Sequence, residues 1–509
     1  SWFILKVIFS SLSTYKRPYL FALSLILLMI SISGPPSIKI YGIITSLDIN
    51  RLIDVYTTSE TLFRMPDTYL RIAVFSSAIF LLIIIPSINV NKINYKIPDS
   101  KILLIILALF ITFLSTSYLY NIFAILLFFY SAYYYIFYFD SKLEKHEIIF
   151  ISSYLIFFLY PFYHSLYIPS NLAEIDNYLR FLFAIPVYLL MRSIITSHID
   201  VLSSINIISI IIGLSALYYY LFHDDIRVRG FTSTSTIFSN ISLLFAMLSF
   251  FTIKKLYEVK SPYAYISILG TIAALTAWST TGSRGSIVAI FSLFILIMFN
   301  KTLRNEYLCF NIKYLTIIAL LFGLLFYQSG SLVRMQNAYE STYNYIYDDA
   351  QHHWRHKDSI VPRLNLWNGS LNMIYDNTML GVGLSNYNNE LNNQIIAGKI
   401  EPIRQDRSNY TAGMNHSHNQ FLDIFAKTGI IGFLTLMYFV LSNYYYFYHN
   451  LKNNRDNVAG FMGLVVLTSY LSYMMYHTIL SHQQSVLFMT FSLAIFAGLS
   501  YSNAHEKKD

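Results

Sequence analysis

The sequence predicts an all-α polytopic integral membrane protein, a bundle of about 12–14 transmembrane helices interrupted by one long polar segment. Three observations carry this. Hydrophobic residues fill 55% of the 509 positions and charged residues only 12%, where soluble domains carry roughly 25% charged. Apolar runs of span length recur along the chain, and its mean hydropathy is +0.49. The 44 Tyr and 40 Phe suit lipid-facing and interfacial positions.

Taken in order, residues 1–10 (SWFILKVIFS) are apolar but too short to span, and are expected along the interface. No small-residue cleavage site follows the first apolar segment, so no cleavable signal peptide is expected, and Ser1 reads as a trimmed start. Spans are expected at 18–34, 72–90, 102–117, 121–139, 148–168, 178–196, 201–222, 237–253, 261–280, 286–300, 313–328, 421–446, 459–477 and 485–501. No internal repeat is visible, so an inverted-repeat transporter has no direct support. The single cysteine, Cys309, excludes an intramolecular disulfide and a cysteine metal cluster.

The chain divides into three parts: 1–328, the first part of the bundle; 329–420, a polar lid; and 421–509, the rest of the bundle. The polar stretch is too long for a structureless connection. Residues 331–355 read as an amphipathic helix, and Leu364, Trp367, Leu371 and Ile374 sit at helical spacing in 363–377. Gly381 and Gly383 then mark a turn. An earlier outer segment, 35–71, holds Asp48, Asp54, Glu60 and Asp67 and reads as a structured cap.

The formal charge of +8 is scattered through membrane-flanking loops, which favours a membrane surface or anionic lipid partner over nucleic acid. With a cytoplasmic N-terminus, 19 of the 35 basic residues fall in short inside loops, Arg192 among them, and 15 of those are Lys. Of the 16 outside, 12 are Arg. Arginine's planar fork matches phosphate oxygens, so the outer face is suited to a phosphorylated substrate, although single arginines there can also snorkel to headgroups.

Two short outer loops stand out. The stretch HDDIRVRGFTSTST (223–236) carries Arg227 and Arg229 beside Gly230, and TTGSRGS (280–286) carries Arg284 between two glycines. A charge near membrane depth is costly and marks a functional position, and glycines let backbone approach a ligand. The stretch NHSHNQFLDIFAKTGIIGF (415–433) then places His416, His418 and Asn419 at the mouth of a span. Histidine is a base near neutral pH. A metal site using His416 and His418 with His352, His353 or His356, and a structural histidine bonding a loop carbonyl, are the alternatives. A base and several guanidiniums suggest transfer from a lipid pyrophosphate glycan. Arginines would hold the pyrophosphate, and His418 would take the acceptor's hydroxyl proton in a single inverting displacement.

These residues carry a family resemblance. His418-Asn419, nine residues, then Gly429-x-x-Gly432 resembles the H-[NSQ]-x9-G-x-x-[GTY] pattern of O-antigen ligases. Ser283-Arg284-Gly285, Arg227-x-x-Gly230 and the series Arg363, Trp367, Gly381-Val382-Gly383 fit the same Wzy_C-type superfamily. That superfamily includes O-antigen polymerases and protein O-oligosaccharyltransferases. The resemblance spans roughly 220–435. It implies a GT-C-like helical bundle with a large periplasmic loop, in the bacterial inner membrane with its site facing the periplasm. The implied donor is an undecaprenyl-pyrophosphate-linked glycan. Lipid A-core or a lipid-linked repeat is the acceptor, and no cofactor is involved. It makes His418 the catalytic base and Arg284 and Arg227 the pyrophosphate contacts. Arg229, Arg363, His416 and Asn419 complete the substrate-binding set. The segment 35–71 lacks the D-x-D pair of metal-using oligosaccharyltransferases, which argues against a metal. The leading expectation is a ligase, followed by a polymerase and a protein glycosyltransferase. A lipid-linked oligosaccharide transporter is the rival from another class.

Overall fold

The computed structural model describes residues 120–138, 142–168, 170, 172–193, 198–222, 227–230, 232–258, 263–300, 303–304, 323, 331–347, 360–401, 403–405, 410–411, 414–454 and 457–505. The predicted spans at 18–34, 72–90 and 102–117, nearly all of 313–328, the interfacial stretch 1–10, the segment 35–71 and His352, His353 and His356 lie outside them. The chain divides into two compact units, Ser1–Ile97 with Tyr133–Phe139, and Pro98–Ala132 with Asp140–Asp509. Apart from 133–138, the described residues all belong to the second unit.

Its helices are α1 (Tyr120–Tyr138, whose last turns belong to the first unit), α2 (Lys145–Tyr167), α3 (Leu172–Arg192), α4 (His198–Phe222), α5 (Ser235–Glu258), α6 (Tyr263–Thr280) and α7 (Val288–Phe299). After these come α8 (Ser331–Tyr347), α9 (Ile360–Asp376), α10 (Tyr387–Ile396), α11 (Gln420–Asn453), α12 (Val458–Met474) and α13 (Gln483–His505). The described β structure is one two-residue antiparallel ladder, β1 (Arg404–Gln405) with β2 (Tyr410–Thr411), pairing Arg404 with Thr411. Among the described residues, the all-α prediction therefore holds apart from this clip.

Five described helices, α2, α4, α5, α11 and α13, hold stretches long and apolar enough to cross a membrane. They answer the spans expected at 148–168, 201–222, 237–253, 421–446 and 485–501. Shorter apolar helices answer 121–139, 261–280, 286–300 and 459–477. The span expected at 178–196 falls in α3, which carries Glu174, Asp176, Arg180 and Arg192. Arg192, read from the sequence as a loop charge, is buried in the last turn of α3. It pairs with the fully buried carboxylate of Glu147 on α2, and Tyr188 donates to the same carboxylate at 2.6 Å. A buried charge persists only when paired and hydrogen-bonded, and here three groups satisfy one another.

Two helix groups share α12. In one, α2 packs on α11, and α3 runs beside α13. In the other, α4, α5 and α6 pack together through buried polar contacts. Asn206 donates to Ser267 Oγ at 2.6 Å, Thr252 donates to Asn206 Oδ1 at 3.0 Å, and Ser209 and Ser249 hydroxyls lie 2.6 Å apart. Apolar packing alone gives little drive between helices in lipid, so such bonds and close small-residue contacts fix the register. Residues on α12 touch both groups. Gly463 lies so close to α11 that a Cβ there would strike the Phe447 ring. Toward α5, Phe461 packs edge-on against Phe251, and Tyr473 donates to the Asn240 carbonyl at 3.0 Å.

Between α7 and α11 the polar stretch forms a helical cap. Leu366, Met373, Tyr387, Leu391, Ile400 and Ile403 bury together against Ala426 of α11. The helix predicted from the spacing of Leu364, Trp367, Leu371 and Ile374 is α9; its buried residues are Leu366, Gly369, Ser370 and Met373, with Ile374 packed beside them and Leu371 exposed. The reason is shape. A Cβ at Gly369 would strike Leu391, so the small-residue face is the one that admits α10.

Gly381 and Gly383 do form a turn, with φ +70° and +98°, and the turn docks into a break in α11. Val382 and Gly383 donate to the Ala426 and Lys427 carbonyls, both at 2.9 Å, and Ile430 donates to the Thr378 carbonyl at 2.9 Å. Gly429 makes the break possible with φ 69° and ψ −170°, a region essentially reserved for glycine. The helix loses its own bonds there, and the cap answers them.

Candidate active site

The head of α11 is a turn built by its own polar residues. Asn419 caps the helix, accepting the N–H groups of Phe421 and Leu422 at 3.0 and 3.2 Å, the expected use of Asn before a first turn. Its amide Nδ2 donates to the Met475 carbonyl at 3.1 Å, tying the turn to the loop after α12. Ser417 Oγ donates to the Asn419 carbonyl at 2.6 Å and accepts the Asn419 N–H at 3.2 Å. His418 lies inside this closure with φ +56°, the one positive value at a non-glycine among the described residues. Left-handed backbone outside glycine costs about 1–3 kcal/mol and collects at functional sites.

Two further contacts hold the turn. Trp367 Nε1 on α9 donates to the Ser417 carbonyl at 3.1 Å, and the Ser417 N–H donates to Asp423 Oδ1 at 3.1 Å. Asp423 also pairs with Lys427 at 3.0 Å, both side chains being buried. Lys427 Nζ in turn lies 5.3 Å over the Tyr387 ring of the cap.

Four imidazoles gather here. The rings of His416 and His418 meet edge to face at 4.4 Å. His482 lies 6.2 Å from His416 and stacks on His477 at 4.7 Å with an interplanar angle of 4°. Burial lowers His418 to about 3, helped by His416, Arg363 and His482 and opposed by Asp423. Burial, then Lys427 and His482, lowers His416 to about 4. Burial lowers His477 and His482 as well. All four are thus neutral near pH 7. The Nδ1 atoms of His416, His418 and His477 are buried with no hydrogen-bond partner among the described residues. No group of three or more His, Cys, Asp or Glu among the described residues is placed to hold a metal ion.

The arginines come from three elements. Arg363 on α9 is half-buried, and its charge acts on His418, His477 and Tyr476. Arg227 is exposed and donates from Nε to the Thr281 carbonyl at 2.9 Å, while Val228 N–H donates to the Thr280 carbonyl at 3.1 Å. These bonds clip the Arg227 turn to the turn that carries Arg284. Arg284 is half-buried and begins the short 3-10 turn Gly285–Ile287. Arg229 is exposed in the same turn as Arg227, its carbonyl accepting from Thr232 at 3.1 Å.

Tyr476 joins the arginine turns to the histidines. A Cβ at Gly285 would fall 2.5 Å from its ring, so the Arg284 turn presses on the Tyr476 face. The Tyr476 hydroxyl donates to Asn240 Oδ1 at 2.5 Å, and the next residue is His477. The structure therefore brings His416, His418, Asn419 and Arg363 together, and links the Arg227 and Arg284 turns to them through Tyr476. Sequence reasoning missed Tyr476, His477, His482 and the Asp423–Lys427 pair. The stretch YHTILSH (476–482) offered the signal already used at 415–418, histidines at the mouth of a span.

Two comparisons with known proteins bear on this chain. A Haemophilus influenzae protein described as uncharacterized is 24% identical over 352 residues, 67% of this chain and 84% of its own length. Residues 269–437 match the family model described as Wzy_C, O-antigen ligase. The matched stretch holds Arg284, Arg363, His416, His418 and Asn419, and the match supports the O-antigen ligase/polymerase superfamily.

Proposed function

We propose that this protein moves a glycan from undecaprenyl pyrophosphate to an acceptor hydroxyl on the periplasmic face of the bacterial inner membrane, with lipid A-core as acceptor. One observation carries the reading. A neutral histidine is held in strained backbone at the head of a membrane helix, in the field of Arg363 and linked through Tyr476 to the Arg284 turn.

The step needs few parts. The acceptor oxygen attacks the anomeric carbon, and the bond from that carbon to the phosphate oxygen breaks with its electron pair leaving on the lipid pyrophosphate. The acceptor proton passes to the His418 imidazole. Arg284 and Arg227 stabilise the leaving phosphate charge, the largest kind of electrostatic contribution when donors are fixed beforehand. One displacement inverts the anomeric centre, and the activated donor needs neither nucleotide nor cofactor. A base at about 3 is weak near neutral pH, because general bases work best near the operating pH. A bound pyrophosphate would raise it, since a nearby anion favours the imidazolium.

The test supplies purified protein in nanodiscs with the lipid-linked glycan, with and without lipid A-core. Glycan on lipid A supports the ligase reading. Lengthening of the lipid-linked glycan without lipid A shifts it to a polymerase, and no transfer in either arm counts against it.

A further inference from the structure

Buried polar atoms without hydrogen-bond partners are rare in folded proteins and each calls for an occupant. In this protein four of them lie on segments that pack together. Asn240 Nδ2, Gln420 Nε2, His477 Nδ1 and Thr478 Oγ1 have no partner among the described residues. Their side chains are nearly inaccessible, at 2%, 0%, 4% and 0% exposure. The segments that carry them are interlocked. Leu480 N–H donates to Gln420 Oε1 at 2.8 Å, Tyr476 OH donates to Asn240 Oδ1 at 2.5 Å, and His477 stacks on His482, which faces His416. The loop Met475–His482 is therefore a second wall facing the His416–His418 turn. It lies beyond the matched stretch 269–437.

The chemistry of this wall differs from that of the arginine turns. It offers amides, a hydroxyl and neutral imidazoles, groups that together donate and accept. A phosphate wants fixed positive charge, whereas a sugar hydroxyl both donates and accepts and carries no charge. We propose that Asn240, Gln420, His477 and Thr478 form a sugar-hydroxyl subsite beside the transfer centre, taking an uncharged face of a glycan. The subsite rests on glycan transfer as the activity. His477 holds the sugar and takes no part in the bond change. The sugar can belong to the donor or to the acceptor, and the two are separable by kinetics.

Thr478→Val removes the hydroxyl at almost constant volume, and His477→Phe keeps a ring on His482. Each variant is compared with wild type in nanodiscs, with KM measured for the lipid-linked donor and for the acceptor in turn. The expected result is a rise of about tenfold in KM for one substrate, the loss of a buried hydrogen bond, with kcat within a fewfold. Whichever KM moves identifies the owner of the sugar. A second readout needs no turnover: saturation-transfer NMR with the neutral oligosaccharide released by mild acid from the host's polyprenyl-pyrophosphate lipids. Wild type should bind it and His477→Phe should not, while inhibition by inorganic pyrophosphate stays the same in both. Unchanged KM values with equal sugar binding, or weakened pyrophosphate inhibition instead, would overturn the subsite, leaving the orphan atoms to internal water or to phosphate. Binding without transfer by wild type would sink the proposed function alone. Transfer that needs His418 but ignores Thr478 and His477 would sink the subsite alone.

Discussion

The Ser417 N–H donates to Asp423 Oδ1 at 3.1 Å, across six residues from the histidine turn to the first turn of α11. The same carboxylate holds Lys427 at 3.0 Å, with both side chains buried. One acid thus fixes the backbone between His416 and His418 and neutralises a cation beneath the cap. The placement of both imidazoles depends on this turn.

Asp423→Ala should therefore be costly. Removing one partner of a buried ion pair costs about 3–5 kcal/mol because the other charge is stranded. Thermal unfolding of the detergent-solubilised variant should show a clear fall in Tm, and Asp423→Asn, which keeps an acceptor for Ser417, a smaller one. Equal Tm values for wild type and Asp423→Ala would show that the pair does not stabilise the fold.

Gly429→Ala should uncouple the cap from α11. The position has φ 69° and ψ −170°, and an added Cβ would collide with the Met379 carbonyl. Backbone strain and overlap together cost at least about 3 kcal/mol. Gly398→Ala is the control, with a similar φ of 68° but open space around it, and should cost about 1 kcal/mol. Hydrogen exchange of residues 378–383 should rise in the first variant and stay put in the second.

Stability should fall as pH drops below about 6.5. The folded values of His416 and His418, about 4 and about 3, lie under the unfolded value of 6.5. Above 6.5 neither state binds the protons. Below it the unfolded chain binds them while the folded chain does not, so stability is lost until pH passes the folded values. Arg363, Asp423, Lys427, Tyr476, His477 and His482 face the pair and set the size of the effect. A His416→Gln, His482→Gln double variant should show a flatter dependence of Tm on pH between 6.5 and 4. An unchanged slope would mean that these imidazoles are protonated in the folded protein.

Much of this architecture was legible in the sequence because lipid imposes a simple rule: backbone bonds must close within a span, so span-length apolar runs become helices. The histidine turn was legible for a related reason, since polar residues at a span mouth have few structural uses. The buried face of α9 was not. Leu364, Trp367, Leu371 and Ile374 share a helical stripe, but the cap chose the stripe of Leu366, Gly369, Ser370 and Met373, on which α10 fits. Periodicity names possible faces, and only the partner helix decides between them. The partner of Gly429 was hidden likewise, because a helix break answered by a segment about 50 residues earlier leaves no local pattern. Arg192 looked like a topology charge because Glu147 is distant in sequence and adjacent only in the fold.

Proton transfer from the acceptor to His418 is the step on which the proposed reaction turns. It is read most directly from glycan transfer by purified His418→Ala in nanodiscs, with lipid-linked donor and acceptor present and correct folding checked by its Tm. A loss of at least about a hundredfold in kcat is expected, the scale of general-base catalysis, with donor binding retained through the arginines. Transfer at the wild-type rate by a folded His418→Ala protein would contradict the role of His418 as the base.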